Sequence, residues 1–415
     1  MITLHSRLSK VGEKLPRSSK KPHKPLISAT NEDMRIGMIS PYSLTIPGGV
    51  QNQILGLARA LRNKGIDVRV LGPCDGPPPD TGITPLGNSL PTAANGSIAP
   101  LAPDPSAQLR VIRALRDERF DLLHVHEPLA PGPTITAIVL KQSPIVATFH
   151  RSGPSKSYEF FNKPARWVAS RVEVNCAVSE EAALTARNAL GGSYEILFNG
   201  IELDRYSSKV PRQGDQTIFF VGRHEPRKGL EVLIRSMQGL PDEVKLWIAS
   251  DGPDTKRLQK ETEDDSRIKW LGRISEEEKI KRLQQSSLFC APSLGGESFG
   301  IVLLEAMASG TLVVASDIPG YSKLTRSGKD ALLFKAGDSA ALVNALEKGL
   351  YDPSIAETIV DSAFSRVGEF SMVELAERYI QIYQKAITQR PAVPLAGGGQ
   401  FFSQRALNSK NFKMK

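Results

Sequence analysis

The stretch from residue 292 to residue 316, which reads PSLGGESFGIVLLEAMASGTLVVAS, constrains the fold more strongly than any other part of the chain. A short apolar run at 287–291 precedes it and ends at a proline, which predicts a buried strand. The glycines within 294–296 can adopt the backbone angles of a tight turn. Residues 301–308 then predict a helix, and residues 312–315 predict a second buried strand. This order of strand, glycine-rich loop, helix and strand indicates an α/β fold.

Two carboxylates occupy defined places in this unit. Glu297 lies on the glycine-rich loop, and Glu305 lies within the helix that follows. The start of such a helix offers unpaired backbone N–H groups and a positive dipole, which suit a phosphate. The two carboxylates could then accept hydrogen bonds from vicinal hydroxyls, one pair on a sugar and one pair on a ribose. Alternatively, Glu297 caps the helix and Glu305 is merely solvated; the flanking glycines and the strand–loop–helix context favour the ligand site.

Length and composition define the class of protein. With 415 residues the chain is long enough for two or three domains, and its 40% hydrophobic and 23% charged residues are typical of a soluble globular protein. No run approaches the ~20 apolar residues of a membrane span. The three cysteines are far apart and form no metal or redox motif. A reduced, cytoplasmic setting is therefore the default expectation.

The net charge of +9 is concentrated at the two ends of the chain. Residues 1–33 carry seven Lys or Arg against three acidic residues, and Lys410, Lys413 and Lys415 follow a run of three glycines. Both segments lack helical or strand periodicity, which predicts a disordered basic leader and a disordered basic tail. The leader could help the protein stay near anionic lipid. Alternatively, Met34 is the true start, or the leader is a transit peptide; the missing apolar core excludes a secretory signal.

The first half repeats the α/β pattern. A strand at 35–40, a glycine-bearing loop at 41–49, a helix at 50–64 and a strand at 67–71 form a second phosphate-competent unit. The loop does not read G-x-G-x-x-G, which weakens a nicotinamide-binding interpretation. Residues 73–105 are rich in Pro, Gly and Ser, and predict a long loop that carries one short hairpin.

Histidines follow two later strands of this half. His124 and His126 share one face of a strand predicted at 121–125, and His150 follows a strand predicted at 143–149. A pair of histidines without a third ligand is weak evidence for a metal site. We therefore favour hydrogen bonding near the carboxyl ends of the strands, where open α/β sheets bind ligands.

Residues 151–171 interleave five basic side chains with four aromatic ones. This composition suits an element that lies in a membrane interface. It equally suits a surface helix whose aromatic rings pack on the sheet, and the residues alone do not separate the two interpretations.

The α/β alternation restarts after a polar linker at 206–216. A strand at 217–221 leads into a loop that carries Arg223 and Lys228, which can neutralise a diphosphate from two sides. The alternative is an ordinary solvated charge cluster. Further on, Ser275 and Glu278 have the spacing of a capping box. The capping box does not explain Glu276. A long helix at 372–388 ends the folded part.

The segment GGESFGIVLLEAMASG resembles the E-x7-E motif of retaining glycosyltransferases with the GT-B fold. Its amino-acid sequence is very similar to the corresponding segment of bacterial phosphatidylinositol mannosyltransferases. The resemblance extends over residues 34–389. It implies an α/β protein with two Rossmann-like domains that face a cleft, and a C-terminal helix that returns to the first domain. The corresponding division is 1–33 leader, 34–210 acceptor and membrane domain, 211–371 nucleotide-sugar domain, 372–389 returning helix and 390–415 tail.

The resemblance also implies roles for particular residues. Those implied in catalysis are His150, Arg223, Lys228 and Glu297. Those implied in donor binding are Gly49, Arg223, Arg227, Lys228, Ile274, Ser275, Glu276, Lys279, Glu297, Ser298, Phe299, Gly300, Ile301 and Glu305. Those implied in acceptor binding are Tyr42, Gln51 and Asn95. No metal and no cofactor are implied, and neither a nucleic acid nor a protein partner is expected.

The implied reaction is transfer of mannose from GDP-mannose to phosphatidylinositol, with retention, by a peripheral protein on the inner face of the cell membrane. Glu276 matches the carboxylate that reads guanine in the mannosyltransferases. At the family's inositol-phosphate segment Asn95 is kept, but Ala94 replaces a Tyr and Pro100 replaces an Arg. Three alternatives therefore stay open: UDP-glucose or another donor with a different lipid or soluble acceptor, a nucleotide-sugar epimerase, and a non-catalytic membrane-binding module.

Overall fold

The structure is a computed structural model, and it describes residues 34–94, 97–151, 162–206, 216–297 and 299–389. The predicted leader and tail lie outside these ranges. So do Asn95, Ser298, most of the basic–aromatic segment before residue 162, and the expected domain boundary at residues 210 and 211.

The first half is built on a parallel sheet of seven strands in the order β3-β2-β1-β6-β7-β8-β9. The strands are β1 (Arg35–Ile39), β2 (Asp67–Gly72), β3 (Ile83–Pro85), β6 (Leu122–His126), β7 (Ile145–Phe149), β8 (Val174–Ala177) and β9 (Glu195–Ile196). Strands β6 and β7 are buried along their whole length, as expected for the middle of a sheet that is covered on both faces. The predicted hairpin in the long loop is confirmed as β4 (Leu90–Ala94) paired antiparallel with β5 (Ser97–Leu101).

The second half contains a parallel sheet of six strands in the order β12-β11-β10-β13-β14-β15. The strands are β10 (Thr217–Val221), β11 (Lys245–Ala249), β12 (Ile268–Gly272), β13 (Leu288–Ala291), β14 (Leu312–Ser316) and β15 (Leu332–Phe334). Strand β13 ends at the residue before Pro292, where the sequence predicts its end.

Helices cover both faces of the two sheets. Those of the first half are α1 (Gly49–Asn63), α2 (Pro105–Glu118), α3 (Pro133–Leu140), α4 (Asn162–Ala169) and α5 (Glu180–Leu190). Those of the second half are α6 (Leu230–Ser236), α7 (Thr255–Glu261), α8 (Glu276–Gln285), α9 (Ile301–Ala308), α10 (Pro319–Leu324), α11 (Ser339–Tyr351) and α12 (Pro353–Val367), and α13 (Met372–Gln389) ends the described chain. Helix α9 has the bounds that the sequence predicts.

Both sheets reverse their winding at one point. In the first sheet the reversal lies between the neighbours β1 and β6, and in the second sheet it lies between β10 and β13. Open α/β sheets bind ligands outside the carboxyl ends of the strands at such a point. The prediction of an α/β fold with two Rossmann-like domains is therefore confirmed, and the loops after these four strands are the place to look for a site.

The C-terminal helix returns to the first half, as predicted. Helix α13 lies against α1, and Met372, Leu375, Tyr379 and Tyr383 join the buried cluster of the first sheet. This contact joins the last helix of the described residues to the first domain. None of the described helices is long and apolar enough to cross a membrane.

The chain passes between the two halves twice, and the two passages lie side by side. The backbone N–H of Ile201 donates to the carbonyl of Phe370 at 2.8 Å, and the N–H of Met372 donates to the carbonyl of Ile201 at 2.9 Å. The side chain of Gln53 fixes the first passage to α1, because its amide bonds both the N–H and the carbonyl of Gly200, each at 2.8 Å. The passages and α1 are therefore one hydrogen-bonded unit.

Candidate active site

The glycine-rich loop after β13 places Glu297 among cations. The Oε1 atom of Glu297 lies 2.6 Å from Lys228 Nζ, 3.1 Å from Arg227 Nη1 and 3.3 Å from Ser293 Oγ. The carboxylate therefore pairs with basic side chains and is not the cap of α9, which was the alternative. The cap position is Gly300, with φ near +92°, and no side chain of the described residues caps the helix. The first N–H groups of α9 are thus of the kind that bind an anion.

A second loop, after β10, carries the cations. Glu225 is buried there between two guanidinium groups, with Arg227 Nε at 2.6 Å and Arg223 Nε at 3.4 Å. The side chains of Arg223 and Lys228 retain 37% and 19% of their exposure, so a ligand in the cleft can reach both. The buried carboxylate holds the two arginines in place and offsets part of their mutual repulsion.

The two loops pack directly on each other. Gly229 has φ near +68°, and a Cβ atom at this position would lie 1.8 Å from the carbonyl oxygen of Pro292. The backbone N–H of Leu294 donates to the carbonyl of Arg227 at 2.7 Å. No residue other than glycine fits at 229, and the cation loop and the glycine-rich loop therefore form one rigid surface.

Glu305 is buried and paired with Lys279. Lys279 Nζ lies 2.9 Å from Glu305 Oε1 and 2.8 Å from Glu276 Oε2. Burial raises the pKa of Glu305, and the Lys279 cation opposes that rise. Burial alone would lower the pKa of Lys279, but Glu305 and Glu276 outweigh it and raise that pKa. The three side chains are therefore one coupled charge cluster beneath the start of α9.

Ser275 caps α8, as predicted, because its hydroxyl accepts from the N–H of Glu278 at 3.2 Å. The prediction of a full capping box is wrong. Glu278 pairs with Arg282 at 2.6 Å, since the i,i+4 ion pair along the helix competes for its carboxylate. Nearby, Ile274 packs on the core of the second half. Phe299 does so as well, with its ring 5.7 Å from that of Phe370.

Residues of the first half face this surface. Gly49 is the first residue of α1, and a Cβ atom there would lie 3.4 Å from Cδ1 of Ile301 on the opposite domain. Gln51 is buried two residues further along, and its Nε2 donates to the carbonyl of Ser43 at 3.3 Å. Tyr42 is half-buried and bridges to Leu101 at the end of the hairpin. Burial, followed by the nearby Glu127, raises the pKa of the Tyr42 phenol, so it is a neutral donor.

His150 lies at the carboxyl end of β7, within a cluster of buried polar side chains. Its Nε2 lies 2.9 Å from Nδ1 of His126, and its backbone N–H donates to Glu127 Oε1 at 2.7 Å. Burial lowers the pKa of His150 to about 3, so the ring is neutral at physiological pH. The nitrogens of His124 are likewise engaged, by Tyr383 and Thr148, which fits hydrogen bonding better than metal binding.

The sequence pattern alone does not single out two residues near the site. Glu127 has φ near +45° and a buried side chain, and burial raises its pKa to about 7. The signal for it was its place directly after a strand end, beside His126. Tyr321 is the second, since its hydroxyl lies 3.0 Å from Ser293 Oγ beneath the glycine-rich loop. No local pattern pointed to Tyr321, because it comes from a helix beyond the next strand.

Comparison with known proteins places these features in a family. Residues 204–366 match the family of group 1 glycosyl transferases, and residues 47–205 match Glycosyltransferase Family 4. A phosphatidyl-myo-inositol mannosyltransferase of Mycobacterium leprae is 37% identical over 377 residues, which cover 88% of this chain and 100% of the relative. The protein of that name from Propionibacterium freudenreichii is 34% identical over 341 residues, covering 77% of this chain and 87% of the relative.

Solved structures show the same fold. Sucrose-phosphate synthase from Thermosynechococcus elongatus superposes with a TM-score of 0.69 at 20% identity, covering 86% of this chain and all of that one. Anabaena HepE in complex with UDP and glucose superposes with a TM-score of 0.68 at 19% identity, covering 85% of this chain and 99% of that one. The chain therefore belongs to the group 1 glycosyltransferases, has the GT-B fold, and is an enzyme of that class.

Proposed function

We propose that this enzyme transfers mannose from GDP-mannose to phosphatidylinositol with retention of the anomeric configuration. The observation that carries the proposal is the Lys228–Glu297 ion pair at the edge of the cleft, in a chain whose relatives are named phosphatidyl-myo-inositol mannosyltransferases. Arg223, held by Glu225, lies on the same loop as Lys228. Residues 34–210 bind the acceptor, residues 211–371 bind the donor, and residues 372–389 form the returning helix.

The donor diphosphate meets Arg223, Lys228 and the first N–H groups of α9. These groups lie on the rigid surface made by the two packed loops, so little reorganisation is needed when the leaving diphosphate gains charge. The contacts of Glu297 with its three neighbours are all made by Oε1 within the described residues. Its other oxygen can therefore accept from a hydroxyl of the transferred sugar.

The nucleoside binds at the charge cluster beneath α9. Lys279 engages Oε1 of Glu305, which leaves Oε2 for the ribose diol. Glu276 is 28% exposed in its side chain and can accept from the guanine N1–H and N2–H groups. Ser275 and Ile274 lie beside it and complete the base-binding edge, and Gly49 approaches the diphosphate from the opposite domain.

Among the residues that the structure describes, the donor constellation contains no carboxylate that would serve as a nucleophile on the sugar. Glu297 is held by Lys228 and Arg227, and Glu305 is buried against Lys279. Retention then proceeds on one face, with the leaving diphosphate accepting the proton of the incoming hydroxyl. The protein contributes electrostatic stabilisation of that diphosphate, and His150 contacts the donor sugar.

Tyr42 and Gln51 of the first half contact the acceptor headgroup, and the family resemblance assigns Asn95 to the same role. Pro100 replaces the arginine that would meet the inositol phosphate in the related enzymes. Arg151 substitutes for it. Arg151 follows His150 directly and lies close enough to influence the pKa of both Tyr42 and Glu127.

The membrane surface is reached through helices α2 to α4. Leu109 and Trp167 are 66% and 51% exposed, and both lie on helices that also carry exposed cations. On α2 these cations are Arg113 and Arg116, with side chains 79% and 65% exposed. Apolar side chains next to cations are the composition of a surface that binds anionic lipid. The enzyme is thus peripheral on the inner face of the membrane.

A transfer assay tests the proposal. Purified protein is mixed with GDP-mannose and vesicles containing phosphatidylinositol, and the lipid products are identified by mass spectrometry and their anomeric configuration by NMR. Vesicles with an equal amount of phosphatidylglycerol control for surface charge, and UDP-glucose controls for the donor. Mannose on phosphatidylinositol supports the proposal. Transfer to another lipid overturns the acceptor, and faster reaction with UDP-glucose overturns the donor.

A further inference from the structure

A line of buried polar groups connects the C-terminal helix to the cleft. The hydroxyl of Tyr383 on α13 lies 2.7 Å from Nδ1 of His124, and Nε2 of His124 lies 2.8 Å from Oγ1 of Thr148. The hydroxyl of Tyr379, one turn earlier, lies 2.8 Å from the same Thr148 oxygen. Both nitrogens of His124 are therefore engaged, and its ring cannot turn without losing a hydrogen bond.

The line continues from His124 to the site. The ring of His124 packs against that of His126, with 4.2 Å between centroids, and Nδ1 of His126 lies 2.9 Å from Nε2 of His150. His126 and His150 are also stacked, with 5.2 Å between centroids. All three histidines are buried. The orientation of His150 is thus set by His126, and that of His126 by a ring fixed from the C-terminal helix.

The hydrogen bond between His126 and His150 has two possible directions. If Nε2–H of His150 donated, neutral His126 would carry its own proton on Nε2, which is buried and without a partner among the described residues. If Nδ1–H of His126 donates, the atom without a partner is a bare nitrogen. Buried N–H groups without acceptors are rarer in proteins than buried acceptors without donors, so the second direction is favoured. The proton of His150 then lies on Nδ1.

We propose that Tyr379 and Tyr383 of the returning helix are positioning residues, which act through His124 and His126 to hold the His150 ring with its proton on Nδ1, as a hydrogen-bond donor. The inference rests on the proposed function for the role of His150 beside the sugar. In this form His150 donates a hydrogen bond and does not take the proton of the acceptor hydroxyl. That proton goes to the leaving diphosphate.

The tautomer can be measured without any substrate. The full chain is labelled with ¹⁵N-histidine, and long-range proton–nitrogen NMR spectra are recorded near neutral pH, with the His150 signals identified by their loss in His150→Asn. A neutral ring protonated on Nδ1 is expected. A ring protonated on Nε2, or on both nitrogens, overturns the proposal. Because the protein is free of ligand, this result does not depend on which sugar or lipid the enzyme uses.

Kinetics test the role of the helix. Tyr383→Phe and Tyr379→Phe remove only a hydroxyl, and Ile382→Val on the same buried part of α13 removes only a methyl group. Each tyrosine variant is expected to lower kcat by about tenfold or more with little change in the donor KM, since small misplacements of a reacting group are costly. The Ile382→Val control is expected to lose melting temperature without that loss of kcat. Equal kcat in all three proteins overturns the proposal.

A pair of substitutions at His126 separates positioning from packing. The Asn side chain of His126→Asn can place an N–H donor where Nδ1 lies, whereas His126→Leu cannot. The Asn variant is expected to keep most of the kcat and the Nδ1–H form of His150, and the Leu variant to lose both. If the two variants have the same kcat and the same His150 tautomer, the Nδ1–H group of His126 is not what positions His150. If the tautomer is as expected but no mannose is transferred, the proposed function fails and this inference stands.

Discussion

The two halves of the enzyme share a strand order but differ in the charge and burial of the polar side chains that they place at the cleft. At the switch point of the second sheet, Arg223, Lys228 and Glu297 are charged and partly exposed. Lys228 pairs with Glu297, and Arg223 pairs with the buried Glu225. In the first sheet, Glu127 at the switch point and His150 after the neighbouring strand β7 are buried, and burial shifts the pKa of each toward its neutral form.

One scaffold can therefore support opposite electrostatics at the same topological position. Ionised groups are tolerated near the cleft where each has a partner, because a lone charge in a low-dielectric site is costly. Neutral donors and acceptors avoid that cost but bind an anion less strongly. The charged half therefore suits a nucleoside diphosphate, and the neutral half suits hydroxyl groups.

The largest effect is expected from removing charge in the second half. Lys228→Ala should lower the turnover by roughly 10²–10³-fold, because the leaving diphosphate loses a preorganised cation. The matched control is Lys269→Ala, which removes an exposed lysine of β12 in the same domain. Steady-state transfer rates with GDP-mannose check this. Similar rates in the two variants would mean that charge in this half does not drive the reaction.

The buried carboxyl of Glu127, in the first half, should make the stability of the protein depend on pH. The folded-state pKa of Glu127 is raised from its ordinary 4.5 to about 7, so the folded protein binds an extra proton between these values and loses stability as pH rises through that window. Glu127→Gln keeps an oxygen for the N–H of His150 but cannot ionise. It should therefore be more stable than the wild type by about 3 kcal/mol at pH 8, with the gap closing below pH ~4.5.

Urea denaturation at several pH values measures this gap, and Glu357→Gln, at an exposed glutamate of α12, is the control. A pH-independent difference in the free energy of unfolding between Glu127→Gln and the wild type would show that folding does not raise the pKa of Glu127. The buried carboxyl of the first half would then not be held in its neutral form.

Nucleotide affinity should depend on the carboxylate paired with Lys279. Glu305→Gln should weaken GDP binding by about 10- to 100-fold, since a charge-assisted hydrogen bond contributes roughly 1.5–3 kcal/mol. Glu276→Gln should instead reduce the preference for GDP over UDP. Calorimetric titration with both nucleotides checks the two variants. Unchanged GDP affinity in Glu305→Gln would show that the ribose does not bind this cluster. It would also weaken the assignment of the donor to the second half.

The smallest expected effect concerns the start of α9. At Gly300, φ is near +92° and a Cβ atom would lie 3.0 Å from the ring of Tyr321, whereas at Gly310 φ is near +68° and a Cβ atom would meet nothing within 4 Å. Both Ala variants should therefore lose about 1 kcal/mol through backbone strain, and Gly300→Ala should lose somewhat more through crowding. Chemical denaturation measures the difference. Equal losses of unfolding free energy in the two variants would show that the Tyr321 ring moves aside at little cost.

Local sequence patterns predict the second half better than the first. The helix at Ile301–Ala308 and the loops that carry Arg223 and Glu297 follow from signals within a few residues, namely an apolar run, a proline and adjacent glycines. The contact between Tyr383 and His124 joins residues 259 positions apart, and no local pattern encodes it. The positive φ of Glu127 cannot be predicted from a local pattern either, because non-glycine residues adopt a positive φ only where the surrounding structure imposes it.

The two side-by-side passages near Ile201 and Met372 bear on how such enzymes can be recombined. The second half is, in effect, an insertion into the first domain, since the chain leaves that domain near residue 201 and rejoins it at α13. A chimera made with one junction would join α13 from one parent to the first sheet of another, and Tyr379 and Tyr383 would meet foreign partners. Exchanging the second half as a segment with two junctions, one near each passage, keeps helix α13 and the first sheet from the same parent.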